Sequence, residues 1–346
     1  MHVGSRDLAS LTTLRLGGPA GRLVTVTDPS EIAEAIPDDD PVLVLAGGSN
    51  VVIGDEGFPG TVVLLRTRGF EAVADPNSDG VRLTLAAGEP WDEVVARTVA
   101  EGWAGIECLS GVPGSSGATP IQNVGAYGQE VAETITSVRV YDRQLGQTTT
   151  FTPAQCGFGY RASVFKHVDR WVVLSVTLRL SRSGHSTPVR YPELARALEV
   201  PVGGRAPLAE VRSAVLRLRA GKGMVLDPDD PDTYSAGSFF TNPVLDAAGY
   251  AVLRRRAADL GEPPAWPGED GTVKTSAAWL IGNAGFTKGY GRDGVAISGK
   301  HTLALTNRGA GTTDALLDLA REVRDGVQKR FEVELRPEPV LVNCSL

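Results

Sequence analysis

Residues 102–128 hold so many glycines and other turn formers that no long helix or strand can be built there. The heart of the stretch reads Ser110-Gly111-Val112-Pro113-Gly114-Ser115-Ser116-Gly117-Ala118-Thr119-Pro120-Ile121-Gln122-Asn123-Val124-Gly125-Ala126-Tyr127-Gly128. A compact domain seldom carries an idle loop of this length. Its small side chains would let a flat, bulky ligand lie against main chain. A disordered linker is the alternative, and Ile121, Val124 and Tyr127 weigh against it.

The flanks are patterned. Val81, Leu83 and Leu85 alternate as in a half-buried strand, and Trp91-Asp92-Glu93 opens a helix with Val94, Val95, Thr98 and Val99 at helical spacing. Strand signals return at 138–141 and 171–180. Upstream, 31–36 reads as a short helix started by Asp28-Pro29-Ser30, and 42–46 and 62–65 read as strands buried on both faces. Downstream, 208–220 carries Leu208, Val211, Val215 and Leu218 on one stripe, followed by a proline-broken acidic turn at 227–232 that suits a domain hinge. A strand is expected at 302–306. A long helix follows at 312–329, striped by Ala315, Leu319, Val323 and Val327, and 331–335 alternates like an edge strand.

A chain of 346 residues is long enough for two or three domains. Hydrophobic content of 42% and charged content of 22% are those of a globular protein. A net charge of −7 speaks against a general nucleic-acid binder. Cys108, Cys156 and Cys344 are odd in number and lack CxxC spacing, so neither a disulfide framework nor a zinc site is expected. The four histidines have no ligand spacing, and no metal is assigned. Residues 1–7 lack the apolar stretch of a signal peptide, and no apolar run approaches the roughly 20 residues of a membrane span. A cytoplasmic protein with no membrane partner is the expectation.

Three glycine patterns mislead. Residues 289–294 fit GxGxxG and 157–162 fit GxGxxA, but neither follows an apolar strand or opens a helix. Residues 294–300 spell GxxxxGK, with His301 where a magnesium-binding Ser or Thr belongs. Gly47-Gly48-Ser49-Asn50 is better placed, directly after an apolar strand, where free backbone N–H groups could converge on a pyrophosphate. Taken alone, a plain tight turn explains that tetrapeptide equally well.

Five blocks in order resemble the UDP-N-acetylenolpyruvoylglucosamine reductase family. They are 45–50; 113–128; Gly159-Tyr160-Arg161-Ala162-Ser163-Val164-Phe165-Lys166; Ala236-Gly237-Ser238-Phe239-Phe240-Thr241-Asn242-Pro243; and Leu335-Arg336-Pro337-Glu338. The resemblance implies an α+β fold with an α/β first lobe. It implies a two-lobed FAD-binding domain of the vanillyl-alcohol-oxidase (PCMH) type and a smaller α+β substrate-binding domain. The expected bounds are 1–70 for the first lobe, 71–215 for the second (PCMH-type region about 15–182), 216–335 for the substrate domain and 336–346 for a C-terminal segment. It implies bound FAD, NADPH as reductant, and reduction of the enolpyruvyl group of a UDP-sugar in peptidoglycan precursor synthesis. The partners are then small molecules, and with no large exposed apolar stripe a monomer is expected.

By the same resemblance Arg161, Ser238 and Glu338 are catalytic. Gly47, Gly48, Ser49, Asn50, Gly114, Ser115, Gly117, Thr119, Gln122, Asn123, Gly125, Ala126 and Tyr127 contact FAD. Tyr160, Tyr191, Lys222, Asn242 and Lys274 contact substrate, Tyr191 marking the subtype with a tyrosine-bearing loop. Thr241 stands where some relatives carry Lys, and Pro339 where Val is expected. Hydride addition to the β-carbon pushes charge onto the α-carbon and its carboxylate. The reaction therefore needs a fixed positive partner and a proton source. Arg161 offers a permanent planar charge, Ser238 a hydroxyl proton, and Glu338 a carboxyl that helps only when protonated. Outside the family, Arg161 would read as a surface ion pair, Ser238 as a cap, Glu338 as solvated, and Lys222 as a helix-dipole partner. Two other functions remain open: a flavin oxidase or dehydrogenase with another substrate, and a non-catalytic nucleotide-sugar sensor.

Overall fold

The computed structural model describes residues 7–37, 40–76 and 78–346, so positions 1–6 of the N-terminal segment lie outside it. The chain divides into two compact units.

The first unit comprises Ala20–Gly47 and Pro59–Val225. Strands Ala20–Val26, Phe58–Leu65 and Val42–Leu45 form a sheet in that order, and the last two run parallel, Val42 opposite Thr61 and Leu45 opposite Leu64. A second sheet, antiparallel between all neighbours, has the order Gln147–Phe151, Ile135–Asp142, Trp171–Leu180, Val81–Ala86, Phe70–Ala74. Alternation explains it: Val81, Leu83 and Leu85 are buried while Arg82 between them is exposed. Against this face packs helix Trp91–Ala100, which buries Trp91, Val94, Val95 and Thr98 and carries Asp92 and Glu93 at its positive N-terminus. Each such fully buried apolar side chain contributes about 1.5–3 kcal/mol. A smaller cluster joins Val189 and Leu194 to Val211, Ala214 and Val215 of helix Leu208–Ala220.

The second unit comprises Asp7–Pro19, Gly48–Phe58 and Leu226–Leu346. Its core is helix Thr313–Phe331, whose Leu316, Leu319, Ala320, Val323 and Val327 pack with Phe239, Phe240, Leu280 and Ile281. Two three-stranded sheets flank it, ordered Val244–Leu245, Val273–Thr275, Ala265–Pro267 and Gly291–Arg292, Val295–Ile297, Leu305–Asn307. Strand Val51–Ile53 runs parallel to Val340–Val342. The carboxylate of Asp55, which follows that strand, accepts the N–H groups of Thr313 (2.8 Å) and Asp314 (2.9 Å). The Thr313 hydroxyl donates to the Ile53 carbonyl (2.7 Å). A side chain more than 250 residues upstream thus caps the long helix, satisfying donors the helix cannot satisfy itself.

Three expectations change. Val42–Leu45 is half-buried rather than enclosed, because it closes one edge of its sheet. The strand expected at 302–306 is Leu305–Asn307. Residues 331–335 form no strand. Helix Thr313–Phe331 ends at a left-handed Glu332 (φ 59°), and Val333 and Leu335 insert directly into the apolar core, which produces the alternation without a ladder partner. The GxGxxG pattern is the turn of the hairpin joining Gly291–Arg292 to Val295–Ile297, and Gly157 is the left-handed cap of helix Pro153–Cys156. Among the described residues no helix is long and apolar enough to cross a membrane.

Replacing Asp55 by Ala orphans two helix N–H groups and should cost about 1–2 kcal/mol. The expected result is a lower urea midpoint with an unchanged slope, and Asp55→Asn, which keeps an acceptor, should lose less.

Candidate functional site

Gly47 ends strand Val42–Leu45 and its connector, and it lies against Gly114 of the glycine-dense loop. A Cβ at Gly47 would sit 2.5 Å from the Gly114 Cα, so only glycine permits this approach. Gly117 is pressed equally close to Ala87, where a Cβ would meet the Ala87 Cβ at 2.5 Å. The loop is tied down by Trp91 N–H to Gly114 O (3.1 Å), Ser116 N–H to Glu89 O (2.9 Å) and Gly117 N–H to Ala87 O (2.9 Å). It is not shapeless. Glu107–Leu109 and Ser116–Ala118 are single 3-10 turns, and Gly125–Ala126 pairs with Gln129–Glu130 across Tyr127 (φ 50°) and Gly128 (φ 81°).

Within it the Ser115 hydroxyl is buried without a hydrogen-bond partner. Leaving such a group unpaired costs about 1–3 kcal/mol, a deficit that a ligand oxygen would remove. Beside the touching glycines, this orphaned hydroxyl fits a flavin cofactor's phosphate oxygens. Thr119 is buried and donates to Ser116 O (2.8 Å). Asn123, buried with φ 44°, donates to Glu130 (2.7 Å) and Gly159 O (3.1 Å) and accepts from Ala132 N–H (3.1 Å). Gln122 is half-buried on the same turn. Of the Gly47-Gly48-Ser49-Asn50 segment, Gly47 belongs to the first unit and the rest to the second. Gly48 is left-handed (φ 60°) and its carbonyl accepts Thr13 N–H (3.0 Å), while Asn50 O accepts Val340 N–H (3.0 Å).

The 159–166 block docks on the same loop. Arg161 itself is left-handed (φ 52°), a conformation rare outside glycine. Its guanidinium donates to Gly125 O (2.7 Å) and Asn123 O (3.5 Å), Ser163 donates to Ile121 O (2.6 Å), and Lys166 donates to Arg161 O (3.0 Å). Tyr160 is exposed, its ring 5.4 Å from the guanidinium carbon. The fork is thereby aimed by the loop rather than left to solvent.

Tyr127, Tyr191 and Lys222 also converge. The two tyrosine rings meet edge to face at 5.4 Å, and Lys222 Nζ lies 5.7 Å from the Tyr127 ring while bonding Glu193 (2.6 Å). Burial pushes the Tyr127 hydroxyl up to about 12, against the pull of Arg219. It therefore stays a proton-bearing donor through neutral pH. Arg219, whose charge burial disfavours, donates to Met224 O (2.8 Å), and its Nε is buried without a partner.

In the second unit the 236–243 and 335–338 blocks are joined. Glu338 N–H donates to Phe239 O (2.9 Å), Thr241 N–H to Arg336 O (3.0 Å), and Phe240 bridges Pro337. Ser238 and Glu338, both half-buried, thus sit on paired backbone segments. Thr241, at the position where some relatives carry Lys, takes part in this pairing through its backbone, and buried Pro339, where Val was expected, leads into strand Val340–Val342. Asn242 accepts the Ala277 N–H (3.0 Å) at the start of helix Ala277–Asn283, and Lys274 lies opposite Val244 on a neighbouring strand.

Glu193 and Arg219, which adjoin the cluster of Tyr127, Tyr191 and Lys222, were not singled out from the sequence. Arg219 had a signal: it falls four residues after Val215, where the apolar stripe of Leu208–Ala220 should continue, and an arginine there must be buried or aimed. Among the described residues no group of three or more His, Cys, Asp or Glu is arranged to hold a metal.

Residues 21–152 match the family described as an FAD binding domain, and residues 229–342 match the C-terminal domain of UDP-N-acetylenolpyruvoylglucosamine reductase. The chain is 65% identical to the UDP-N-acetylenolpyruvoylglucosamine reductase of Salinispora arenicola, covering 98% of this chain and 95% of that one. It is 58% identical to that of Streptomyces coelicolor, over 98% and 90% of the two chains. The solved reductase of Thermus caldophilus superimposes with a TM-score of 0.69 at 26% identity, covering 99% of each chain.

A methyl group at Gly47 must separate two backbones. Gly47→Ala should therefore purify with little or no flavin, read as the ratio of visible to ultraviolet absorbance, while far-ultraviolet circular dichroism stays unchanged.

Proposed function

Because the chain belongs to the UDP-N-acetylenolpyruvoylglucosamine reductase family, we propose that it reduces UDP-N-acetylglucosamine enolpyruvate to UDP-N-acetylmuramate with electrons from NADPH. The reaction is a step of peptidoglycan precursor synthesis, carried out in the cytoplasm by a monomer. All three cysteines are free, as a reducing compartment requires. In this reading the lobes 1–70 and 71–215 bind flavin, 216–335 binds substrate, and 336–346 brings in Glu338.

When bound and reduced by NADPH, the flavin would supply the hydride needed at the enolpyruvyl β-carbon. The remaining work falls to side chains. The Arg161 guanidinium, held by the Gly125 carbonyl, meets the substrate carboxylate and stabilises the charge that grows there. Ser238 gives its hydroxyl proton to the α-carbon, which completes addition of hydride and proton across the double bond. Glu338 adds a hydrogen bond to the carboxylate when its own carboxyl is protonated. Tyr191 and Lys222, already gathered with Tyr127, engage the nucleotide and its diphosphate, and Tyr160, Asn242 and Lys274 complete the substrate contacts. The glycine loop and Gly47 would hold the flavin cofactor with main chain, and the unpartnered Ser115 hydroxyl would be available to its phosphate oxygens.

One observation carries the mechanism most directly: the 2.9 Å bond from Glu338 N–H to Phe239 O, which fastens the glutamate's segment to the serine's. The pairing brings two blocks almost 100 residues apart in sequence side by side, as a shared site would need.

The test separates the half-reactions. In anaerobic stopped flow, Ser238→Ala should still be bleached by NADPH, while reoxidation by the enolpyruvyl sugar falls by about 10²–10⁴-fold. Equal damage to both steps would remove the proton-donor role. Wild-type flavin that air reoxidises rapidly and UDP-sugars leave untouched would point to an oxidase, and a protein that binds the sugar without consuming NADPH would be a sensor.

A further inference from the structure

The acidic turn at 227–232 and the GxxxxGK turn at 294–300 have no part in the reaction above, yet they are bolted together. Asp232 is 8% exposed. Its Oδ1 accepts the Gly299 N–H (2.8 Å) and an Arg308 guanidinium N–H (2.7 Å). Beside it, Asp230 takes the Lys300 ammonium at 2.6 Å. The acidic turn is itself rigid. The Thr233 hydroxyl lies 2.8 Å from both the Asp227 and Asp230 carbonyls, and Tyr234 OH donates to Pro228 O.

From Gly299 the restraint runs on. The Ser298 hydroxyl accepts the Lys300 N–H (3.0 Å) and the His301 N–H (3.2 Å), and Ser298 N–H closes the loop on Ala304 O (2.8 Å). Leu303 O, on that loop, accepts Phe239 N–H at 2.7 Å. At the other end Asn307 N–H, next to Arg308, holds Tyr234 O at 3.0 Å. Residues 234–239 are therefore tethered at one end to strand Leu305–Asn307 and at the other to the loop that leads into it, and Ser238 lies between the tethers. Gly237, just before it, is left-handed (φ 75°) with nothing within 4 Å of where its Cβ would be. The Gly237 N–H donates to the Ser235 hydroxyl (3.2 Å), and Ser235 bridges Thr306, so the serine's position is set through this string of tethers.

We propose that Asp232 is a positioning residue for Ser238, acting through Gly299 and Arg308 on the loop that holds Phe239. The proposal rests on the proton-donor reading of Ser238. Asp232 touches no reacting atom. It sets where the hydroxyl stands, and a displacement of about 1 Å is enough to slow a reaction by about 100-fold.

The test uses the flavin-loaded enzyme in both half-reactions. Asp232→Ala should leave flavin content and NADPH bleaching near wild type, slow reoxidation by the enolpyruvyl sugar by about 10–100-fold, and raise its solvent deuterium isotope effect as proton delivery becomes limiting. Asp232→Asn, which keeps an acceptor for Gly299, should recover most of the rate. If Asp232→Ala does not retain flavin, Arg308→Met, which leaves the carboxylate on Gly299, carries the same test with a smaller expected slowing. Equal slowing of both half-reactions, unimpaired reoxidation, or slowing without a larger isotope effect overturns the positioning role. Wild-type flavin that the UDP-enolpyruvyl sugar does not reoxidise sinks the proposed function instead.

Discussion

At Gly47 and Gly114 two turns meet main chain to main chain, and any side chain on the Gly47 side would drive them apart. Such contact carries an entropic penalty, since glycine loses more freedom on folding than other residues. The first unit offsets that cost with its antiparallel sheet and the helix Trp91–Ala100, whose start is fixed by the loop's own Gly114 carbonyl. The loop can then stay low in side chains without becoming loose. Everything placed on it, from the Ser115 hydroxyl to the carbonyls that aim Arg161, inherits that rigidity.

The polar groups follow one logic in both units: a charge is buried only where main chain or a partner meets it. Asp232 answers Gly299 and Arg308, and the half-buried Arg161 fork answers two carbonyls. The exceptions are informative. Ser115 Oγ and Arg219 Nε, like Thr61 Oγ1 and Trp91 Nε1, are buried and unanswered within the chain; Ser115 lies in the glycine-dense loop and Arg219 beside Tyr127. Unpaired groups of this kind carry a standing cost that a bound ligand is suited to relieve.

The sequence was most legible where periodicity is long and local. Helix Leu208–Ala220 and strand Trp171–Leu180 have the expected bounds, and helix Thr313–Phe331 differs by one residue at its start and two at its end. Alternation at 331–335 misled because Val333 and Leu335 are drawn into a helical core, and a period of two records burial without recording a ladder. For the site, glycine density located the loop, and the ordered blocks supplied candidate residues. The pairing of 239–241 with 336–338 and the reach of Asp232 to Gly299 left no trace, since contacts between distant segments have no local period. Arg219 was readable in principle, as a cation standing on an apolar stripe.

The parallel pairing of Val51–Ile53 with Val340–Val342, together with the Asp55 cap, has a consequence for how the chain is made. Residues 48–58 are synthesised long before their strand partner and the helix they cap, which lie more than 250 residues further along the chain. Through most of translation this segment waits with open backbone donors and acceptors, an edge that chaperones or neighbouring chains can occupy. The second unit closes only once Val340–Val342 have emerged, which makes its contact order high and its folding slow compared with a unit contiguous in the chain.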